Sequence, residues 1–127
     1  MTESRYVPGV CNIGDAEIAE RNKVGWIGII VTVILGTILG VLHTAYYWKL
    51  ILFIPAFLGA MGFLQAWMHF CAGFGLQGVF NFSTEVRKTE TIAQTQYRVK
   101  DRRRAIAILV YSTFIAAAIT ALVCVMY

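Results

Sequence analysis

The sequence predicts an all-α membrane protein with three transmembrane helices, its N-terminus cytoplasmic and its C-terminus outside. Three observations predict it. The chain is 58% hydrophobic and only 14% charged, whereas a typical soluble domain is about 25% charged. Its mean hydropathy is +0.66. Its charges are segregated: every acid, and every base except Lys49, falls within residues 1–23 or 81–104. Three uncharged runs lie outside those stretches, at 24–42, 50–70 and 105–127.

The 127 residues suffice for one domain. The expected divisions are a cytoplasmic segment 1–23, a first span 24–42, and a second span with a glycine-rich end, 50–78. A basic cytoplasmic connection 79–104 and a third span 105–127 complete the chain. At about 1.5 Å per residue, each apolar run covers the roughly 30 Å hydrocarbon core. Helix is the conformation that satisfies backbone groups in lipid, because lone strands leave them unpaired. The first run follows 23 mostly polar residues and is 19 residues long. It therefore reads as a span and not as a cleaved signal. "RYVPGVC" has no apolar run before it, so Cys11 does not read as a lipoprotein cysteine.

Basic residues set the threading. Arg5, Arg21 and Lys23 precede span one, and Arg87, Lys88, Arg98, Lys100, Arg102, Arg103 and Arg104 precede span three. Only Lys49 lies on the other side, beside the interfacial aromatics of "AYYW". The bias places the protein in a cytoplasmic (inner) membrane, multi-pass.

Residues 1–14 read as irregular. Asp15 is expected to cap a helix beginning "AEIAERNK" and running into span one. Pro55 either starts the second helix or kinks it. Thr91 and Gln94 have capping-box spacing, so a helix is expected from about Ile92 into span three. The bases Arg98, Lys100, Arg102, Arg103 and Arg104 are candidates for contact with anionic lipid at the cytoplasmic face. The plainer reading is that they set topology.

Each span carries small residues at helical spacing. Span one has Gly25, Gly28, Thr32, Gly36 and Gly40; span two has Gly59, Gly62, Ala66 and Gly73; span three has Ser112, Ala116, Thr120 and Cys124. Small residues let helices approach closely in lipid. These seams join either the protein's own helices or a partner's.

"HFCAGFGLQGVFNF" contains G-x-G-x-x-G at Gly73, Gly75 and Gly78. A dinucleotide turn needs a strand before the glycines and a helix opening after them. Here they follow an apolar span. They are expected to end the helix or admit a close neighbour, with Phe80 and Phe82 then dipping into lipid.

His69 and Cys71 would lie about 200° apart on a helix. If the helix breaks, they could join Cys11 in a partial zinc-like set without a fourth ligand or a C-x-x-C pair. A histidine bonded to Gln65 is the plainer reading. His43 and His69 sit at opposite ends of their spans, which disfavours a shared haem in one copy. Cys11 and Cys71 face a reducing compartment and Cys124 lies near the other face, so no internal disulfide is expected. No acid or base lies within a span, as proton and ion pathways usually require.

"YVPGVCNIGDAEIAERNKVGW", then "HFCAGFGLQGVFNF", then the basic approach to the last span, resembles an uncharacterised family of small three-span bacterial membrane proteins. "VCNIG" and "GVFNF" are its most distinctive words. The resemblance implies a bacterial cytoplasmic membrane and carries over no activity.

The expected function is therefore that of a non-catalytic accessory or structural subunit of a larger membrane complex, with respiratory and photosynthetic assemblies as host classes. Its partners would be other membrane subunits and anionic lipids, with no nucleic acid, no cofactor and no enzymatic role. Two alternatives stand beside it. One is a redox protein using His69, Cys71 and Cys11; the other is a homo-oligomeric channel or transporter.

Overall fold

The computed structural model describes residues 6–126. Three helical stretches are long and apolar enough to cross a membrane: Asp15–Val41, Tyr46–Met68 and Thr95–Met126. The first is one helix, α1. The second is a short helix α2 (Tyr46–Lys49), a 3₁₀ turn (Leu50–Leu52) and α3 (Phe53–Met68). A six-residue helix α4 (Ala72–Gln77) follows, then a two-stranded antiparallel ribbon of β1 (Val79–Phe80) and β2 (Glu90–Thr91). The third stretch is α5, Thr95–Met126.

α3 is the central helix. α1 and α5 each pack on it, and α4 packs on α5. The outward faces of α1 and α5 are apolar: Ile30, Ile34, Phe114 and Leu122 are all exposed. A helix apolar all round belongs in lipid or in a large core, and a chain this small has no such core. This is the pattern of a multi-pass membrane protein.

Local chemistry explains the boundaries. Pro55 is the third residue of α3, directly after the 3₁₀ turn, so the change of winding in this stretch falls where proline has no N–H to offer. α3 stops one residue short of His69, which adopts a left-handed φ of 55° while its N–H caps the Gln65 carbonyl. That is a left-handed C-cap, a conformation in which histidine is enriched. α4 ends the same way at Gly78, with φ 73°.

Several expectations change. The N-cap of α1 is Gly14, and Asp15 is already helical. Asp15 and Glu17 still place acids in the first turn, where the helix dipole favours them. α5 starts at Thr95, because Thr91 is paired in the ribbon with Val79 and Ile92 is buried before the helix begins. Two of the three glycines of the quoted motif lie inside α4 and do not end the span. Gly75 lets α4 sit against α5: a Cβ there would meet the Asp101 carbonyl oxygen at 2.9 Å. Phe80 and Phe82 do not reach lipid. They are buried with Ile92 against Tyr6, Cys11 and Tyr97, because the N-terminal segment folds over them.

That segment is not irregular in its described part. Val7, Pro8, Gly9 and Val10 form a β-turn, closed by the Val10 N–H donating to the Val7 carbonyl at 3.0 Å. Proline and a glycine at φ 72° occupy its two central positions, as a type II turn requires. Residues 6–14 then cross one end of the bundle as a strap, next to the start of α1, the end of α3 and the start of α5.

Candidate functional site

The strap and the "GVFNF" segment meet at two asparagines. The Asn81 N–H donates to the Asn12 carbonyl at 2.9 Å, and the Gly14 N–H donates to the Asn81 carbonyl at 2.8 Å. Ile13 and Asn81 form a parallel bridge. The two most distinctive words of the sequence are thus hydrogen-bonded to each other. Gly14 leaves room for this, since a Cβ there would meet the Phe82 Cα at 3.1 Å.

Both asparagine side chains are buried and hydrogen-bonded. Asn12 grips the Cys71 backbone at both ends: its Oδ1 accepts from the Cys71 N–H at 2.7 Å, and its Nδ2 donates to the Cys71 carbonyl at 3.1 Å. This holds the chain where α3 has broken and α4 begins. Gln65 helps there, its Oε1 accepting from the Ala72 N–H at 2.8 Å. Asn81 Nδ2 donates to Glu17 Oε2 at 3.0 Å and to the Glu85 carbonyl at 2.8 Å.

Glu17 is the charged centre of this end. It is fully buried, and Arg21 Nη1 donates to its Oε1 at 3.1 Å. The Arg87 N–H donates to Oε2 at 2.8 Å. Arg21 in turn places Nη2 3.1 Å from the Cys71 sulfur, and its guanidinium lies 5.5 Å from the Phe74 ring centre. The four partners of this ion pair are Cys71 at the α3–α4 junction, Phe74 of α4, Asn81 just after β1 and Arg87 in the loop before β2. One carboxylate and one guanidinium therefore tie together segments far apart in the chain.

A second anchor lies beside it. The buried Asp101 carboxylate accepts from the Tyr6 hydroxyl at 2.6 Å and from the Gly9 N–H at 2.7 Å. Burial, followed by the bond to Asp101, pushes the Tyr6 phenol well above its usual value, so it remains a donor throughout the neutral range. Tyr6 also stacks on Phe80, with ring centres 4.9 Å apart.

The structure does not bring His69, Cys71 and Cys11 together as a ligand set. His69 is exposed at the helix break, the Cys71 thiol faces Arg21, and the Cys11 thiol lies 3.6 Å from the Ile13 carbonyl. Among the described residues, no three His, Cys, Asp or Glu side chains are placed to hold one metal ion. Gln65 does not serve His69 with its side chain, which is committed to Ala72.

The glycine seams join the protein's own helices. Gly28 faces Gly59 so closely that a Cβ on Gly28 would lie 2.5 Å from the Gly59 backbone. A Cβ on Gly62 would lie 2.5 Å from the Gly25 nitrogen, and one on Gly25 would lie 2.8 Å from the Phe63 ring. Gly36 is looser, facing Leu52 at 3.8 Å, and Gly40 is buried one turn further along. Thr32 bonds its own helix at the Gly28 carbonyl. Ala66 is buried on α3; Ser112, Ala116 and Thr120 are buried on α5.

Beyond this seam, an apolar groove of about 350 Å³ opens where α1 and α5 flank α3. Ala56 and Ala60 of α3, Ile29 and Val33 of α1, and Ile115 and Ile119 of α5 line it.

The basic residues of α5 divide into two groups. Arg98 turns back, its Nε donating to the Ile92 carbonyl at 2.7 Å, and shares a recess with Arg102 beside Gly78. Lys100, Arg103 and Arg104 line a different pocket, under the strap.

Sequence reasoning did not single out Asn12, Asn81, Glu17, Arg21, Tyr6 or Asp101. Both asparagines stand in the words it quoted, but nothing in either word shows that the other is its partner. Compared with known protein families, with curated proteins and with solved structures, the chain matches none.

Proposed function

We propose that this protein is a non-catalytic subunit of a larger complex in a bacterial cytoplasmic membrane, threaded with its N-terminus inside, and that it seats one transmembrane helix of a partner. The observation that carries this reading is the groove between α1 and α5. Its floor has Ala56 and Ala60 one turn apart, the small-residue spacing that admits a helix closely in lipid. Its walls are apolar, so its occupant is apolar as well. The glycine seams support the reading in a different way. At Gly25, Gly28, Gly59 and Gly62 they pack α1 on α3, which makes a firm two-helix platform beside the groove.

The test is a gentle-detergent pull-down from native membranes, with stoichiometry by mass spectrometry, for wild type and Ala60→Trp. Wild type is expected to bring a companion in fixed ratio, and the tryptophan that fills the groove is expected to release it. Recovery of the wild-type chain alone, or only with further copies of itself, would sink the subunit reading.

A further inference from the structure

The pocket under the strap has a volume of about 390 Å³ and is lined by Pro8, Gly9, Lys100, Arg103, Arg104 and Ala107. We propose that it binds a phosphate group, carried by an anionic phospholipid headgroup or by a soluble phosphate compound.

Lys100, Arg103, Arg104 and Ala107 follow one another at steps of three, one and three, so they share one face of α5. Three cations therefore converge on one recess. Among the described residues, no ion pair joins any of the three to an acid. Arg104 also has a buried Nε with no hydrogen-bond partner. A buried donor left unsatisfied is costly, and an anion is what a guanidinium binds best, through two parallel N–H bonds.

The nearest acid does not block such a ligand. Asp101 lies on the same turn, but it is fully buried and its oxygens face the Tyr6 hydroxyl and the Gly9 N–H. Those bonds hold the strap over the pocket. Gly9 is needed at that wall, because a Cβ there would approach the Lys100 Cβ to 3.2 Å. Arg98 is excluded from the site by its bond to the Ile92 carbonyl. This distinguishes a built site from a general basic surface, in which all seven bases before span three would act alike.

The depth suits a lipid phosphate. Arg104 is the last charge before the uncharged run 105–127, and Ala107 closes the pocket on the apolar side. That level is the boundary between headgroup and acyl chain, where cations meet anionic lipid.

The test uses the full chain in nanodiscs. One arm compares discs of phosphatidylcholine alone with discs that also contain phosphatidylglycerol, reading retained phosphatidylglycerol by native mass spectrometry. The other titrates inorganic phosphate into phosphatidylcholine discs. Arg103→Gln/Arg104→Gln is compared with Lys88→Gln/Arg102→Gln, which removes the same charge away from the pocket. Lys100→Gln is a third variant at an exposed position, where loss of fold is not at issue.

The pocket variants are expected to lose binding on the order of tenfold, with the charge-matched control close to wild type. Binding of phosphatidylglycerol without inorganic phosphate identifies the lipid as the source; binding of inorganic phosphate identifies a soluble phosphate compound. Equal loss in pocket and control variants, or no retention by wild type in either arm, overturns the proposal. Neither result bears on the partner helix, which is tested by Ala60→Trp alone.

Discussion

Glu17 shows at the scale of one residue how much a short polar segment can control. In the sequence it is one acid among three at the start of a helix, and helix-dipole reasoning gives such an acid a few tenths of a kcal/mol. In the structure it is fully buried and accepts bonds from Arg21, Asn81 and the Arg87 backbone. Removing one partner of a buried pair leaves the other charge uncompensated. Glu17→Ala is therefore expected to destabilise the protein by about 3–5 kcal/mol, measured by thermal unfolding in detergent. Glu20→Ala, one turn on and outside this network, serves as the comparison and should leave the transition almost in place. Equal effects would mean that the buried pair does not hold this end together.

At the scale of elements, the packing of α1 on α3 depends on backbone meeting backbone. Gly62 and Gly36 look alike in the sequence, since each continues a small-residue stripe. Their surroundings differ. A Cβ on Gly62 would lie 2.5 Å from a backbone nitrogen, whereas one on Gly36 would meet only the Leu52 side chain at 3.8 Å. Two backbones cannot yield without moving the helices apart, but ordinary contact with a side chain needs no adjustment. Gly62→Ala is expected to cost about 1–3 kcal/mol by overpacking. Gly36→Ala should be neutral or slightly stabilising, because alanine is the better helix former. Thermal unfolding of the two variants side by side checks this; equal transitions would show that α1 and α3 are less closely packed than the structure has them.

At the scale of the whole molecule, the strap, the helix break at His69 and the base of α5 all gather at one end, together with most of the charge. The opposite end carries His43 and the exposed aromatics Tyr46, Tyr47 and Trp48. This asymmetry supports the proposed threading by the distribution of bases. In single-cysteine variants on intact cells, a membrane-impermeant thiol reagent is expected to miss Cys11 and to label a cysteine placed at the exposed His43. The reverse pattern would invert the topology, and with it the side on which a phosphate would reach Lys100, Arg103 and Arg104.

The three apolar helices were legible in the sequence because the hydrophobic effect is roughly additive: an uncharged run of 19 or more residues declares itself without knowledge of its neighbours. The break after α3 was not legible: the glycines expected to end the span lie within α4 or at its end, and the break itself is made by a left-handed His69. The small-residue stripes were readable as seams, but which surface each one faces was not. The cap at the polar end was hidden for a deeper reason. Asn12 and Asn81, Glu17 and Arg87, and Tyr6 and Asp101 are each separated by about 70 or more positions. Hydrogen bonds are directional and satisfied one partner at a time, so composition and periodicity carry no trace of who bonds to whom. The sequence by itself determined that the chain is three apolar helices with charged ends. Only the tertiary structure decided that one of those ends is a closed polar cap, because its partners are brought together by the fold and not by their order along the chain.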